Sequence, residues 1–482
     1  MCNQAHTCTT LSQKQEDQID MKDCNVLLVM YPAQGQINPC LQFAKRLVRL
    51  GVKVTFLTSV SVINRMAEPP SIHGVDFATF SDGCDAGFKG SDDEYLEFNA
   101  SLRAKGSKAI SDLLTAKLQE GSPIVQVIYT TFMPWVGILA QSLGVPSTVL
   151  WIQPAAIFDI FYYYFTGYEE RFRGDNVVVE LPGLMPLTAR EIPSFLLPTA
   201  SSATDFMIAQ SMKDHIELIK KERPKVLVNT FDALEFEALR VIEKVGLVGI
   251  GPLVPSAYLD GEDPCDTSFG GDMRKRSNGY VEWLDSKPKG SVIYVAFGSY
   301  SELPDEMMEE IARGLVETRR PFLWVIREGG NGQKPEEKLS CKADLEKQGK
   351  IVRWGNQVEV LQHSSVGCFV SHCGWNSTLE ALTSGVPMVG CPLWTDQWCN
   401  SKFIQDVWKT GIRVDVNEKG IIEANGLKTG IECIMGEETG QGLRNNATKF
   451  KALAKEATRE DGSSYVNLKA YVDEVLLGHG QE

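Results

Sequence analysis

A chain of 482 residues exceeds what one comfortable hydrophobic core serves, so two domains are expected. Hydrophobic residues at 43% and charged residues at 23% are ordinary for a globular protein, and the longest aromatic run, FDIFYYYF, is too short to span a membrane. The formal net charge of -14 excludes a broad nucleic-acid or anionic-membrane footprint but leaves room for a local phosphate pocket.

Residues 1–22 are polar, lack the apolar core of a secretory signal, and read as a flexible extension. Strands are then expected at VLLVM (26–30), VKVTFLT (52–58), IVQVIYT (124–130), PSTVLWI (146–152) and KVLVNTF (225–231), with amphipathic segments such as PWVGILAQSLG between them. This alternation predicts a mainly parallel sheet with helices on both faces. The stretch 153–224 is less regular, and GIGPLVPSAYLDGEDPCDTSFGGD has the Gly, Pro and Asp content of a surface linker. A second series follows: SVIYVAF (291–297), PFLWVI (321–326), KIVRW (350–354), VGCFV (366–370), VPMVG (386–390) and IRVDV (412–416). The expected organisation is a first Rossmann-like domain over 23–249, a linker over 250–289, a second such domain over 290–465, and a C-terminal helix and tail over 466–482. Residues 439–476 are strongly charged and read as solvated surface. The twelve cysteines show no repeated short pairing and read as reduced thiols of a cytoplasmic protein, and no metal-ligand spacing is present.

The densest chemistry lies between Trp354 and Gln397, WGNQVEVLQHSSVGCFVSHCGWNSTLEALTSGVPMVGCPLWTDQ. VGCFV reads as a strand, SHCG as a tight turn and NSTLEAL as a helix start that Asn376, Ser377 or Thr378 could cap. The free N–H groups of such a helix suit a phosphate, with His372 adding a hydrogen bond and Gly374 allowing close backbone approach. Glu380 suits ribose hydroxyls, Trp354 could stack on a base, and Asp396 with Gln397 offers acceptors and an amide donor to a sugar ring. Taken singly, Trp354 is more often core or surface, and Asp396 with Gln397 an ordinary turn pair. Only their common order suggests a nucleotide sugar.

HCGWNS, the glutamate three residues on, GVPM and the closing DQ make this segment resemble the signature box of the plant family 1 UDP-glycosyltransferases, with the same 44-residue spacing. The resemblance extends over about residues 24–475. It implies a GT-B fold, two Rossmann-like domains facing across a cleft, and inverting transfer from a UDP-sugar without a prosthetic group or metal. It also implies roles. Trp354 would stack on uracil beside the Gly355 backbone and Gln357, and Glu380 would hold the ribose. Ser299, His372, Asn376 and Ser377 would hold the diphosphate, and Trp375, Asp396 and Gln397 would surround the sugar. A closing glutamine goes with UDP-glucose as donor. WGNQ replaces the family's common WxPQ or WCPQ.

The first-domain loop PAQGQINP departs further: the family's usual histidine, which deprotonates the acceptor, corresponds to Gln36. Its usual aspartate partner corresponds to Thr130, as in a subgroup that SDGCDAGF and IPSFLLP also resemble, which glucosylates carboxylic acids and phenols. An imidazole with pKa about 6.5 exchanges protons near neutrality, and an amide does not. Gln36 fits either natural divergence or a deliberate ligand-trapping substitution. A carboxylic acid, pKa about 4, arrives ionised, whereas a phenol, about 10, does not, so ester formation tolerates Gln36 best. Asp82 and Asp159 are candidate replacement bases. Phe80, Phe132, Trp135, Phe158, Phe161, Tyr162 and Phe195 are candidates for an apolar acceptor pocket, some of them necessarily core. The expected partner is a small aromatic or apolar acceptor, handled by a monomer, with no nucleic acid. The alternatives are O-glucosylation of a phenolic hydroxyl, or UDP-sugar binding with little turnover.

Overall fold

The β-branched runs and amphipathic segments form two parallel sheets flanked by helices in the computed structural model, which describes residues 24–478 apart from 67–69, 89, 91, 175–177, 198, 330–333, 437 and 439. The expected N-terminal extension lies outside the described residues. The first sheet comprises β1 (Asn25–Val29), β2 (Lys53–Ser59), β3 (Val75–Phe80), β4 (Ile124–Thr130), β5 (Ser147–Trp151), β6 (Lys225–Val228) and β7 (Leu247–Gly249), in the order β3-β2-β1-β4-β5-β6-β7. The second comprises β8 (Val292–Ala296), β9 (Phe322–Val325), β10 (Lys350–Val352), β11 (Val366–Ser371), β12 (Met388–Gly390) and β13 (Gly411–Arg413), ordered β10-β9-β8-β11-β12-β13. All these pairings are parallel. Both faces of such strands are covered, which is why they read as continuous apolar runs. Val26 to Val29 are each at most 1% exposed, and each such side chain contributes roughly 1.5–3 kcal/mol relative to exposure.

In each sheet the strand order reverses beside the first strand, between β1 and β4 and between β8 and β11. Loops leaving the carboxyl ends of these strands diverge and open a crevice. PAQGQINP leaves β1, Thr131 follows β4, FGSY leaves β8 and SHCGWNS leaves β11. All four candidate loops therefore sit at a switch point.

The Gly- and Pro-rich segment after residue 249, expected as a linker, packs along α1 (Gln34–Arg49). Gln34 Nε2 donates to the Gly271 carbonyl at 2.7 Å, Lys45 pairs with Asp266 at 2.6 Å, and Arg46 donates to the carbonyls of Ile250 and Pro252 at 2.9 and 2.6 Å. The charged C-terminus is not only solvated surface, because Leu468, Tyr471, Val472 and Leu476 enter the first-domain core with Val26, Leu28 and Phe43. Tyr471 Oη donates to Thr148 Oγ1 at 3.0 Å, and the Leu476 carbonyl accepts from Cys24 Sγ at 3.7 Å. Nor are all the cysteines reduced: Cys265 is disulfide-bonded, while Cys24, Cys40, Cys84, Cys341, Cys368, Cys373, Cys391 and Cys399 are free.

Candidate active site

The second-domain half centres on α3 (Trp375–Ser384), which starts directly after the β11 turn; the other helix used below is α2 (Ala155–Tyr163). The helix is capped by Gly374 with no side-chain bond, contrary to the expected capping by Asn376, Ser377 or Thr378. Those side chains are engaged elsewhere. Asn376 Nδ2 donates to the Gly35 carbonyl at 2.7 Å, Ser377 Oγ accepts from Gln357 Nε2 at 2.8 Å, and Thr378 Oγ1 donates back to the Gly374 carbonyl at 3.1 Å. The first-turn N–H groups of α3 thus have no side-chain competitor for an anion.

His372 is held by what its neighbours lack. A Cβ on Gly298 or on Gly374 would lie 2.7 or 2.6 Å from Nε2, so only glycine fits on either side of the ring. Burial, with the Arg327 guanidinium nearby, pulls His372 down to about 4, so near pH 7 it is a neutral donor through one nitrogen. Arg327 also holds the FGSY loop, donating to the Ser299 carbonyl at 2.6 Å and to that of Ser301. This fixes the half-buried Ser299 beside the imidazole.

Behind the helix start, Gln357 Nε2 donates to Glu380 Oε2 at 2.6 Å. Burial pushes the Glu380 carboxyl up to about 8, with the Gln357 hydrogen bond opposing the rise. Trp354 is half-buried with its indole Nε1 unpartnered among the described residues. Gly355 lies over the Tyr280 ring, whose Oη accepts from the Asn356 amide at 3.2 Å, so the WGNQ turn rests on an aromatic floor. In the closing turn, Gln397 Oε1 accepts from the amides of Leu393 and Trp394 at 3.0 and 3.3 Å, leaving its Nε2 donor for a ligand. Asp396 accepts from Thr395 Oγ1 and Asn400 Nδ2, both at 3.1 Å, and burial raises its pKa. Trp375 departs from the expectation of a sugar-facing side chain. Its indole is buried, donates to the Asn229 carbonyl at 2.8 Å and packs on Trp408, so only its backbone borders the cleft.

Across the cleft, Gln36 lies in the first turn of α1 and is 7% exposed. Its Nε2 donates to Thr131 Oγ1 at 3.1 Å, and its Oε1 is buried without a partner among the described residues. The expected partner, Thr130, instead accepts from the Tyr31 amide at 3.4 Å and donates to the Thr131 carbonyl. Thr130, the last residue of β4, thus meets the backbone where the loop leaves β1, and Thr131, one residue past the strand, meets the Gln36 side chain. Phe132, which follows, has φ +70°, an uncommon conformation for a bulky residue, and packs edge-on against Tyr31. Neither candidate base is available. Asp82 accepts from Ser61 Oγ at 2.6 Å and the Cys84 amide at 2.8 Å, and lies fully buried. Asp159, on α2, is buried with both oxygens unpartnered among the described residues, and burial, with Glu235 nearby, raises its pKa well above the usual carboxylate range.

The aromatic candidates divide. Phe158 and Phe161 are fully buried and edge-packed on Trp151, hence core, and Phe195 rests on Phe161 at 5.4 Å. Phe80, Phe132 and Tyr162 are half-buried; Phe80 shares Gly106 as a packing partner with Trp135. Pattern reading missed Thr131, Tyr31, Tyr280 and Arg327. Arg327 alone carries a signal, as a charge ending the apolar run PFLWVI.

The two halves meet through a missing hydrogen. Pro39 has no amide to donate to the Gly35 carbonyl four residues back, and Asn376 Nδ2 supplies that donor from the other domain. Two Rossmann-like sheets facing each other at their switch points, one carrying an anion-ready helix start with a neutral imidazole and a buried carboxyl, define a glycosyltransferase of the GT-B fold. Residues 267–457 match the family model described as UDP-glucoronosyl and UDP-glucosyl transferase. The chain is 49% identical to the crocetin glucosyltransferase of Gardenia jasminoides over 95% of this chain and 98% of that one. It is also 49% identical to the phloretin 4'-O-glucosyltransferase of Malus domestica, covering 94% and 98%. Its structure superposes on Os79 from O. sativa in complex with UDP with a TM-score of 0.81 at 32% identity, covering 92% of this chain and 99% of that one. The chain belongs to the plant family 1 UDP-glycosyltransferases, and it is a UDP-glucose-dependent enzyme acting on small acceptors. Among the described residues no helix is long and apolar enough to cross a membrane, and no group of three or more His, Cys, Asp or Glu is placed to hold a metal ion.

Proposed function

We propose that this enzyme transfers glucose with inversion to the carboxylate of a small aromatic or apolar acceptor, forming a β-glucose ester and UDP. The observation that carries this reading is Gln36. Where the resemblance places the family's histidine stands an amide bonded to a threonine hydroxyl, while Asp82 is fully buried and engaged by Ser61 and the Cys84 amide, and Asp159 is buried without a partner among the described residues. An ionised carboxylate needs no base. Its oxygen attacks C1 of the sugar as the bond from C1 to the diphosphate oxygen breaks, and the electron pair departs with UDP. The first-turn amides of α3, His372, Asn376, Ser377 and Ser299 surround that departing charge, with Gly374 allowing the approach. Glu380 holds the ribose, Trp354, Gly355 and Gln357 border the uracil, and Asp396 and Gln397 hold glucose hydroxyls beside the Trp375 backbone. Thr130 has no direct part; Thr131 orients Gln36.

A second reading, transfer to a phenolic hydroxyl, is favoured by relatives named for O-glucosylation. Parallel panels of carboxylic and phenolic acceptors, assayed with the native chain and with Gln36→His, decide between them. Turnover of carboxylates by the native chain, with phenols gaining selectively from histidine, is expected. Native turnover confined to phenols overturns the ester reading.

A further inference from the structure

A short segment of the first domain touches both sides of the reaction. Residues 188–196 begin with a capping box, in which Glu191 Oε2 accepts from the Thr188 amide at 2.8 Å. Glu191 is 3% exposed and pairs across the cleft with Lys402 at 3.2 Å and Arg413 at 3.0 Å. Three residues on, Ser194 Oγ accepts from the Thr395 amide at 3.0 Å, and the Ser194 amide returns a longer bond to the Thr395 carbonyl at 3.4 Å. Thr395 has φ +57°, a left-handed conformation that a β-branched residue avoids and keeps only where its surroundings enforce it. The same residue directly precedes Asp396 and bonds it through its hydroxyl, and Gln397 follows Asp396. The neighbour of Ser194 on the other side, Phe195, packs against Phe161 in the first-domain aromatic wall.

We infer that Ser194 is a positioning residue for the donor sugar: a first-domain strap holds Thr395 in its left-handed conformation and so aims Asp396 and Gln397 at the sugar hydroxyls. The inference rests on the reading of those two residues as the sugar-facing pair. Its physical content is that sugar discrimination, usually placed in the second domain alone, depends on a hydroxyl from the first. UDP lacks the sugar that this turn would hold, so its affinity separates the strap from general damage.

The test uses full-length Ser194→Ala and Ser194→Thr, with donor kinetics for UDP-glucose and UDP-galactose at saturating acceptor and UDP binding by calorimetry. Loss of one such hydrogen bond should raise KM for UDP-glucose roughly threefold to tenfold and lower the glucose-to-galactose ratio of kcat/KM by a similar factor. UDP affinity should stay within about twofold, and Ser194→Thr should restore the ratio. An unchanged KM and ratio in Ser194→Ala, with UDP bound normally, overturns the strap. An equal loss of UDP affinity also overturns it, because the effect would then be general. Gln397→Ala is the parallel control: if that variant leaves the ratio intact, the sugar-site reading fails and the inference with it.

Discussion

The two switch points are built alike and equipped differently. At the second, backbone amides, a neutral histidine and a buried, mostly protonated carboxyl are gathered on one helix and the turn before it. At the first, the corresponding helix start presents an amide side chain bonded to a threonine. The contrast teaches where catalysis must come from. On the function proposed above, the donor side receives departing negative charge, whereas the acceptor side positions a nucleophile without taking its proton.

The sharpest way to break this comparison is to remove the leaving-group side. His372→Ala should cut kcat for every acceptor by about 10²–10³, the loss expected for a donor to developing charge, measured as UDP release. A loss confined to one acceptor class would place His372 on the acceptor side instead. Next in size, Gln36→His should raise kcat/KM for phenols by about 10²-fold and leave carboxylates within a few-fold. Equal gains for both classes would mean that the acceptor side had been limiting throughout.

A third prediction concerns stability and pH. The Glu380 carboxyl has a folded-state pKa of about 8 against the ordinary 4.5, so between those values the native state holds a proton that the unfolded chain releases. Its contribution to stability is therefore full below the ordinary value and lost as pH rises through about 8. Glu380→Gln should flatten the fall in melting temperature over that window while weakening UDP binding. His372 has the opposite sign: its folded pKa of about 4 lies below 6.5, so its contribution is full above 6.5 and lost as pH falls. If Glu380→Gln melts with the native pH profile, the carboxyl is not held neutral. The smallest effect belongs to Pro39. Pro39→Ala restores an amide that competes for the Gly35 carbonyl, so the cost of Asn376→Ala, about 1 kcal/mol in the native chain, should shrink in the Pro39→Ala background, which melting curves of the two single variants and the double variant check.

Most strands were legible because a strand covered on both faces must be apolar throughout, as VLLV and VIYVA are. β3, VDFATF, escaped because only Val75 of this edge strand is buried, while Asp76 and Thr79 are exposed and break the apolar run. The donor residues were legible because one strand-turn-helix unit carries most of them within a short stretch. The acceptor side was not. Spacing could not choose between Thr130 and Thr131, which are neighbours in the chain. Asn376 looked like a cap because nothing local reveals that a proline in the other domain has left a carbonyl waiting for it. Trp375, too, reads as a cleft residue until its indole is seen to reach Asn229.

The return of the C-terminal helix to the first sheet bears on how the chain is made. Leu468, Tyr471 and Val472 cover apolar surface of a sheet whose first strand is β1, so that surface waits through the synthesis of more than four hundred residues for its last partners. The first half emerging from a ribosome is therefore an unfinished domain with an open apolar face, and holding it soluble is a task for chaperones. Cutting the gene at the apparent domain boundary would leave that face exposed for good, so the acceptor half is not a module that can be lifted out alone.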